Sequence, residues 1–275
     1  MAWLEPHGKA LKAQFVFHSL LDRKDLGEGH APTAIARAMA WLEPHGKALG
    51  AGFVLPPLLA REDLREQQPG AIERAVTWLE AYPDIQDTEF VLKRLLGSSD
   101  VPSALRLRCA NVAVDRLEKV SSTPDATFLL RWCLQERKLP IELEQRIVGL
   151  AFAWMDAHPS HRDIDYVFNR LLRRRHIPDT DWQRAARFAL EWLKRTPPQR
   201  DRDRALNSLL TRPGLLDASD WDYVLNDALR WLEGHCSSSN AAGMLRYNLM
   251  RCVTGTAAEP MVTVTISSIM ASKRA

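Results

Sequence analysis

Cysteine is scarce in this sequence, and the cysteines that it has stand far apart. Cys109, Cys133, Cys236 and Cys252 are the only ones among 275 residues, and none belongs to a CxxC pair. Zinc sites use closely spaced cysteines or histidines, and disulfide frameworks need many cysteines in a short chain. We therefore expect neither, and predict buried thiols in a reducing cytosol.

A strong excess of one charge and a long apolar run are also missing. The chain carries 37 basic and 34 acidic residues, a net charge of +3, whereas a dedicated nucleic-acid-binding domain usually has a marked basic excess. No run approaches the roughly 20 apolar residues of a membrane-spanning helix. The N-terminus, MAWLEPHGKA, lacks a basic segment followed by an apolar stretch, so we predict no signal peptide. We expect a soluble, cytoplasmic protein without membrane contact.

Motifs for catalysis and cofactor binding are absent from the sequence. It contains no GxSxG, HExxH, P-loop or glycine-rich dinucleotide motif, and its 13 glycines are scattered. His158, His161, Asp163 and Asp165 are close in sequence, but their spacing matches no standard zinc loop and suits the capping of helices at a turn. We predict no catalytic residue, no cofactor and no metal.

What the sequence does contain is a tandem repeat of about 38 residues. The segment MAWLEPHGKAL occurs twice, at residues 1–11 and 39–49. A first column of large side chains, the Trp column, consists of Trp3, Trp41, Trp78, Leu117, Trp154, Trp192 and Trp231. A second, the Phe column, lies about 12 residues later and consists of Phe15, Phe53, Phe90, Phe128, Tyr166, Arg204 and Met244. A mostly apolar pair follows the Phe column five and six residues on.

The apolar spacing within a repeat predicts two helices. Steps of three and four residues separate its apolar positions, and Pro102, Pro140 and Pro178 stand where a proline can open a helix. We therefore predict an all-α fold, an α-solenoid of about seven two-helix repeats over residues 1–253, with the first repeat truncated. The tail, residues 254–275, is predicted to be disordered, although the alternation at 262–266 would suit a strand.

Both columns are predicted to be buried as wedges between successive layers of helices. On this interpretation Trp192→Ala should cost about 3–5 kcal/mol, as truncation of a buried aromatic residue does. Pro56 and Pro57 fall inside a predicted helix, where proline costs about 3 kcal/mol. We expect that helix to be bent or shortened, beginning near Pro56.

The columns whose chemistry varies between repeats are the candidates for recognition. The residues three and four places after the Phe column lie between core positions, and stacked repeats would align them as a ladder. The predicted partner-binding residues are Lys93, Arg94, Arg131, Trp132, Asn169, Arg170, Asn207 and Asn248. The alternative is an ordinary solvated stripe. A mostly acidic column two residues after the Trp column, which includes Glu43 and Glu80, is predicted to face solvent.

Residues 38–43, 53–59 and 61–64 carry the pattern AxxWLE, FVLxxLL and RxDL. The repeats resemble the broad superfamily of tetratricopeptide-like and HEAT-like helical hairpins without matching a named signature. More narrowly, the pattern is similar to degenerate repeats C-terminal to signalling NTPase or effector domains of bacterial conflict and defence proteins. That resemblance implies a sensor or scaffold role, with the enzyme elsewhere.

Three functions are compatible with these observations. The first is a non-catalytic scaffold or sensor that binds a protein partner, and the second is an RNA- or DNA-binding helical repeat, since such repeats can read one base each. The third is an enzyme built on the repeat scaffold. The truncated first repeat would leave apolar core uncovered, which indicates either a longer parent protein or self-association through the N-terminal end.

Overall fold

The computed structural model describes residues 10–23, 25–26, 29–136, 139–174, 176–196, 202–235, 240–254 and 262–267. Within these ranges all regular structure is helical and no strand forms, which confirms the all-α prediction. The chain divides into two compact units, Met1–Trp154 and Met155–Ala275. Trp3 and the predicted truncation of the first repeat lie outside the described residues.

In the first unit, short helices alternate with longer ones. The short B helices carry the Phe column: α1 (Gln14–Asp22), α3 (Ala51–Leu59), α5 (Thr88–Gly97) and α7 (Thr127–Gln135). The long A helices carry the Trp column: α2 (Ala31–His45), α4 (Gln68–Ala81), α6 (Ser103–Val120) and α8 (Ile141–Ala157), within which the division between units falls. Two 3-10 helices, Leu11–Ala13 and Pro124–Ala126, lead into α1 and α7, and a third, Glu62–Gln67, precedes α4.

The second unit repeats the alternation. Its helices are α9 (Ile164–Leu172), α10 (Asp179–Arg195), α11 (Arg202–Leu209), α12 (Ala218–His235) and α13 (Asn240–Val253), with a 3-10 helix at Pro213–Leu215. Residues 262–267 are helical, with Val262 and Ile266 buried, so the strand that their alternation suits does not form. The rest of the tail from residue 255 on lies outside the described residues.

Helices α6, α8 and α10 begin at the residue after a proline, as the sequence predicts. Pro102, Pro140 and Pro178 directly precede Ser103, Ile141 and Asp179. The proline carbonyl accepts the first bond of each helix, and its fixed backbone angle removes one free rotation before the helix starts.

Consecutive repeats pack in the same way within each unit. In the first unit, α1, α3, α5 and α7 contact one another in series, and α3 and α5 also contact the A helices before and after them. In the second unit α9, α11 and α13 form a corresponding series, and α11 contacts both α10 and α12. Each B helix therefore has neighbours from its own repeat and from the adjacent ones.

The Trp column forms the core of the A helices, with one exception. Trp41, Trp78, Leu117, Trp154 and Trp231 are buried. Trp192 is only half-buried, against the prediction, and its ring lies edge-on to Phe168 at 5.8 Å between ring centroids. The expected loss of about 3–5 kcal/mol of unfolding free energy therefore applies to truncation of a fully buried indole such as Trp78, and not to Trp192→Ala.

A hydrogen bond recurs between the Trp column and the preceding repeat. The indole Nε1 atoms of Trp41, Trp78 and Trp154 donate to the backbone oxygens of Ala10, Ala48 and Thr123, each at 3.0 Å. All three acceptors stand five residues before the Phe column, at the turn that leads into a B helix. A buried indole N–H needs an acceptor, so this bond fixes the position of each repeat against the one before it.

Where leucine interrupts the Trp column, an arginine makes a corresponding bond. Leu117 has no N–H to offer, but its neighbour Arg116 is buried and donates from Nη1 to the oxygen of Pro83 at 3.0 Å. Its Nη2 also contacts Glu89 at 3.3 Å, which neutralises the buried charge. A guanidinium hydrogen bond thus replaces the indole hydrogen bond to the preceding repeat.

The two interior prolines neither shorten α3 nor delay its start to Pro56, against the prediction. The helix runs from Ala51 to Leu59. Pro57 has no N–H for the oxygen of Phe53, and His18 of the preceding repeat occupies that oxygen instead, with Nδ1 at 2.8 Å. Because a carbonyl oxygen only accepts, this His18 nitrogen carries the proton.

Gly52 permits the close approach of Trp78 to α3. A Cβ atom at this position would lie 2.4 Å from Cζ2 and 2.7 Å from Cη2 of that indole. The indole cannot withdraw freely, because it is fully buried and its Nε1, next to the contacting atoms, is hydrogen-bonded. The glycine is therefore required by the packing of the next repeat, not by its own backbone angles.

We predict that Gly52→Ala lowers the free energy of unfolding by about 1–3 kcal/mol, because it overpacks a rigid contact. Gly149→Ala is the matched control, since a Cβ there meets nothing within 4 Å. That change should raise the free energy of unfolding by about 0.5–1 kcal/mol, as alanine does in an open helix position. Urea denaturation of both variants measures the difference. Equal effects at the two positions would contradict the packing described for Trp78.

Candidate protein-binding surface

Three of the four rings of the Phe column in the first unit are exposed and Phe128 is half-buried, so the prediction that these rings are buried wedges is wrong. The exposed fractions of Phe15, Phe53 and Phe90 are 57%, 38% and 53%. The rings of Phe15 and Phe53 lie against each other, with centroids 5.8 Å apart and an interplanar angle of 50°. Large apolar side chains that are exposed at the same position in successive repeats indicate an interaction site.

The geometry of the B helices explains this exposure. Their buried side chains stand one, two, five and six residues after the Phe column, as with Val54, Leu55 and Leu58 in α3. At about 100° per residue these positions centre on the side of the helix opposite to the Phe column. The Phe column therefore shares the outward side with the residues three and four places later, which we call the outer B face.

The outer B face begins with an apolar patch, which consists of Leu11, Phe15, Leu49 and Phe53. Leu11 and Leu49 precede the two phenylalanines by four residues, and their exposed fractions are 51% and 53%. They belong to the duplicated segment MAWLEPHGKAL. Sequence reasoning missed them, although a leucine one helical turn before each phenylalanine was a visible signal.

A basic patch follows on the next two B helices. It consists of Lys93 and Arg94 of α5 and Arg131 of α7, all of them exposed. Lys93 and Arg94 form no ion pair with any residue that the structure describes. Arg131 lies over the ring of Trp132, with its Cζ atom 6.0 Å from the ring centroid.

The other predicted partner-binding residues are less accessible. Trp132, Arg170 and Asn248 are half-buried, whereas Asn169 and Asn207 are buried. Nδ2 of Asn248 donates to Oδ1 of Asn207 at 2.9 Å, so these two amides join consecutive B helices. Lys93, Arg94 and Arg131 thus lie exposed on two B helices that contact each other, while Asn207 and Asn248 join two B helices of the second unit.

Acidic side chains are missing from the outer B face. No Asp or Glu occupies the Phe column or the two columns after it in any of the seven repeats. Glu89, one residue before Phe90, is paired with Arg116, and Asp87 and Asp125 stand three residues before Phe90 and Phe128, at the start of their helices. There they complement the positive end of the helix dipole.

The A helices carry the opposite arrangement, with acidic residues in ion pairs between repeats. Arg108 of α6 contacts Glu80 at 2.7 Å and Glu73 at 3.0 Å, both on α4. Arg146 of α8 contacts Glu118 of α6 at 2.8 Å. The acidic column that the sequence placed in solvent is therefore at the surface but partly neutralised, whereas the outer B face has cations to offer.

A cleft of about 740 Å³ lies in the second unit. Lys194, Arg195, Arg230 and His235 lie at its edge. Lys194, Arg195 and His235 belong to the last turns of α10 and α12, where cations complement the negative end of the helix dipole. A buried ion pair between Arg202 and Asp227 closes its floor, with Nη2 and Oδ2 2.5 Å apart.

Other chemistry finds little support in the described ranges. They contain no group of three His, Cys, Asp or Glu side chains that could hold a metal ion, nor a helix long and apolar enough to cross a bilayer. Cys109 and Cys133 are buried, as predicted, and burial raises the pKa of the Cys109 thiol to about 12. Such a thiol is a poor nucleophile at neutral pH. Cys236 lies outside the described residues.

No protein-family profile matches this chain, and no curated protein and no solved structure matches it either. The resemblance to tetratricopeptide-like and HEAT-like repeats accordingly stays a prediction. The function has to be argued from the surface itself.

We predict that the ion pairs between A helices make the protein less stable in acid. The hydrogen bond from Arg108 lowers the pKa of Glu80, so the folded state binds fewer protons than the unfolded chain does. This contribution to stability is present above the unfolded pKa of about 4.3 and is lost as the pH falls through the lower folded value.

The Arg108→Gln variant should therefore lose less unfolding free energy than the unmodified protein when the pH falls from about 6 to about 3, a range that brackets the unfolded pKa. Urea denaturation across this range is the measurement. Arg187→Gln, an exposed arginine of α10 with no acidic partner among the described residues, is the control and should leave the slope unchanged. An identical slope for Arg108→Gln would show that the pair contributes nothing to folding.

Proposed function

We propose that this protein is a non-catalytic scaffold or sensor that binds a protein partner on the outer B face of its first unit. The observation that carries the proposal is the exposed Phe column, flanked by Leu11 and Leu49 and followed by three cations. The proposal includes a cytoplasmic location and the sensor role implied by the resemblance to repeats of bacterial signalling proteins.

The proposed architecture is an α-solenoid of about seven two-helix repeats with a period of about 38 residues. Its support is the recurrence of the same contacts within each unit: B helix to B helix, and B helix to the A helices before and after it. A stacked array turns one exposed residue per repeat into a continuous surface, which a single globular core does not do.

Burial of the apolar patch supplies a driving force for association. Fully burying a leucine or phenylalanine contributes about 1.5–3 kcal/mol, so covering one that is half-exposed contributes on the order of 1 kcal/mol. The four residues of the apolar patch and Phe90 together give a few kcal/mol before the cost of association. A protein partner with apolar side chains of its own uses this surface most fully.

Nucleic-acid binding is the second candidate, and one observation favours it. Exposed aromatic rings next to cations, with no acidic residue between them, also suit the stacking of single-stranded bases. The three cations of the basic patch are few for a phosphate backbone, and leucine side chains do not stack. We therefore rank it below a protein partner. An enzyme on the same scaffold has no site that favours it.

The test replaces the exposed rings together: Phe15→Ala, Phe53→Ala and Phe90→Ala in one chain. We expect its unfolding free energy to fall by no more than about 0.5 kcal/mol per site, because these are surface positions. Selection from a phage-displayed library of random peptides should yield binders with the unmodified chain but not with the triple variant. Ile141→Ala, which alters an exposed apolar residue of an A helix, is the control and should select as the unmodified chain does.

Two results would contradict the proposal. Peptides that bind the triple variant as tightly as the unmodified chain would place the binding surface elsewhere. Tight binding of a twenty-base oligothymidine or oligouridine, lost in the triple variant and falling steeply between about 50 and 200 mM salt, would support the nucleic-acid function instead.

A further inference from the structure

The two patches of the outer B face differ in chemistry and lie in a fixed order. Helices α1 and α3, with Leu11 and Leu49 just before them, carry the apolar patch, and α5 and α7 carry the basic patch. These four helices contact one another in series, so the surface changes from apolar to cationic in one direction. Phe90 on α5 is exposed beside Lys93 and Arg94, at the junction of the two patches.

From this arrangement we infer the chemistry of the partner: a linear peptide segment with large apolar side chains at one end and Asp or Glu residues at the other. The inference rests on the proposed function and specifies the partner of the same surface. The apolar end lies on Leu11, Phe15, Leu49 and Phe53, and the acidic end lies on the basic patch.

Charge complementarity sets the sign of the polar end. Lys93 and Arg94 are exposed without an ion pair among the residues that the structure describes, and both follow Phe90 on the same side of α5. Glu89, one residue before Phe90, contacts Arg116 instead. Of the polar side chains on the first two B helices, His18 is bound through Nδ1 to the oxygen of Phe53.

Helix spacing gives the separation between the two parts of the segment. Packed helices lie about 8–10 Å apart, and an extended peptide advances about 3.3 Å per residue. A side chain that contacts Phe53 on α3 is then about three residues from one that reaches Lys93 or Arg94 on α5. Arg131 on α7 is reached after about five or six residues. An apolar anchor and a carboxylate three to six residues apart is the expected signature.

The experiment is a selection from a phage-displayed library of random twelve-residue peptides, followed by sequencing of the binders. The unmodified chain should enrich peptides in which an aromatic or leucine residue stands about three to six positions from Asp or Glu. The chain with Lys93→Glu and Arg94→Glu should bind those peptides about tenfold more weakly in a polarisation assay, because attraction becomes repulsion at two sites. It should also lose the selection for acidic residues.

The matched control reverses two other exposed cations of A helices, Arg187→Glu and Arg230→Glu. It changes the net charge by the same amount and should leave peptide affinity within about twofold of the unmodified chain. Thermal unfolding of both double variants checks that each is folded. If the Lys93 and Arg94 variant unfolds, Arg131→Glu alone tests the same patch.

The possible outcomes separate this inference from the proposed function. Peptides without acidic residues, or acidic peptides that bind both double variants equally, overturn the inference while leaving the aromatic surface as the binding site. Peptides insensitive to the triple phenylalanine variant overturn the proposed function itself. A concentration-dependent dimer in sedimentation that Phe53→Ala abolishes would show that a second copy occupies the apolar patch, which also overturns the inference.

Discussion

The first unit depends on a hydrogen bond from an indole to a turn in the preceding repeat. Trp41, Trp78 and Trp154 each donate it at 3.0 Å, to a carbonyl that also accepts a backbone N–H three residues later. The ring fills the space between consecutive repeats, and its N–H fixes their register. Because a bulky wedge and a directional bond reside in one side chain, the repeats tolerate variation almost everywhere else.

That register determines which side of each B helix remains uncovered. The A helices lie against the positions one, two, five and six residues after the Phe column, and the neighbouring B helices cover the flanks. What remains is a narrow outward stripe on each B helix, which neighbouring repeats align. The same alignment on the A helices brings arginines of one repeat to carboxylates of another, as with Arg108 and Glu80. The charges on the A helices are thereby partly neutralised, whereas the outer B face keeps exposed cations and aromatic rings.

Much of the fold could be predicted from sequence, because periodic apolar residues and prolines report on local helix geometry. The all-α class, the burial of most of the Trp column and the starts of α6, α8 and α10 followed from such signals. The exposure of the Phe column was predictable but missed: apolar residues at the column and one, two, five and six places later cannot all share one side of a helix. The link between His18 and the oxygen of Phe53 was not predictable, because it joins residues of different repeats. For the same reason the ladder residues could be placed on one stripe, but the pairing of Asn207 with Asn248 could not.

The difference between the two units explains why the proposed binding surface lies in the first. Along the B helices of the second unit, the Phe column becomes Tyr166, Arg204 and Met244, and the amides beside it bond to each other. The hydrogen bond between Asn248 and Asn207 joins neighbouring helices, and the two groups that form it are not available to a partner. The first unit keeps Phe15, Phe53 and Phe90 exposed, and its Lys93 and Arg94 form no ion pair with any residue that the structure describes. Covering exposed apolar side chains with another molecule removes them from water, which lowers the free energy of the system.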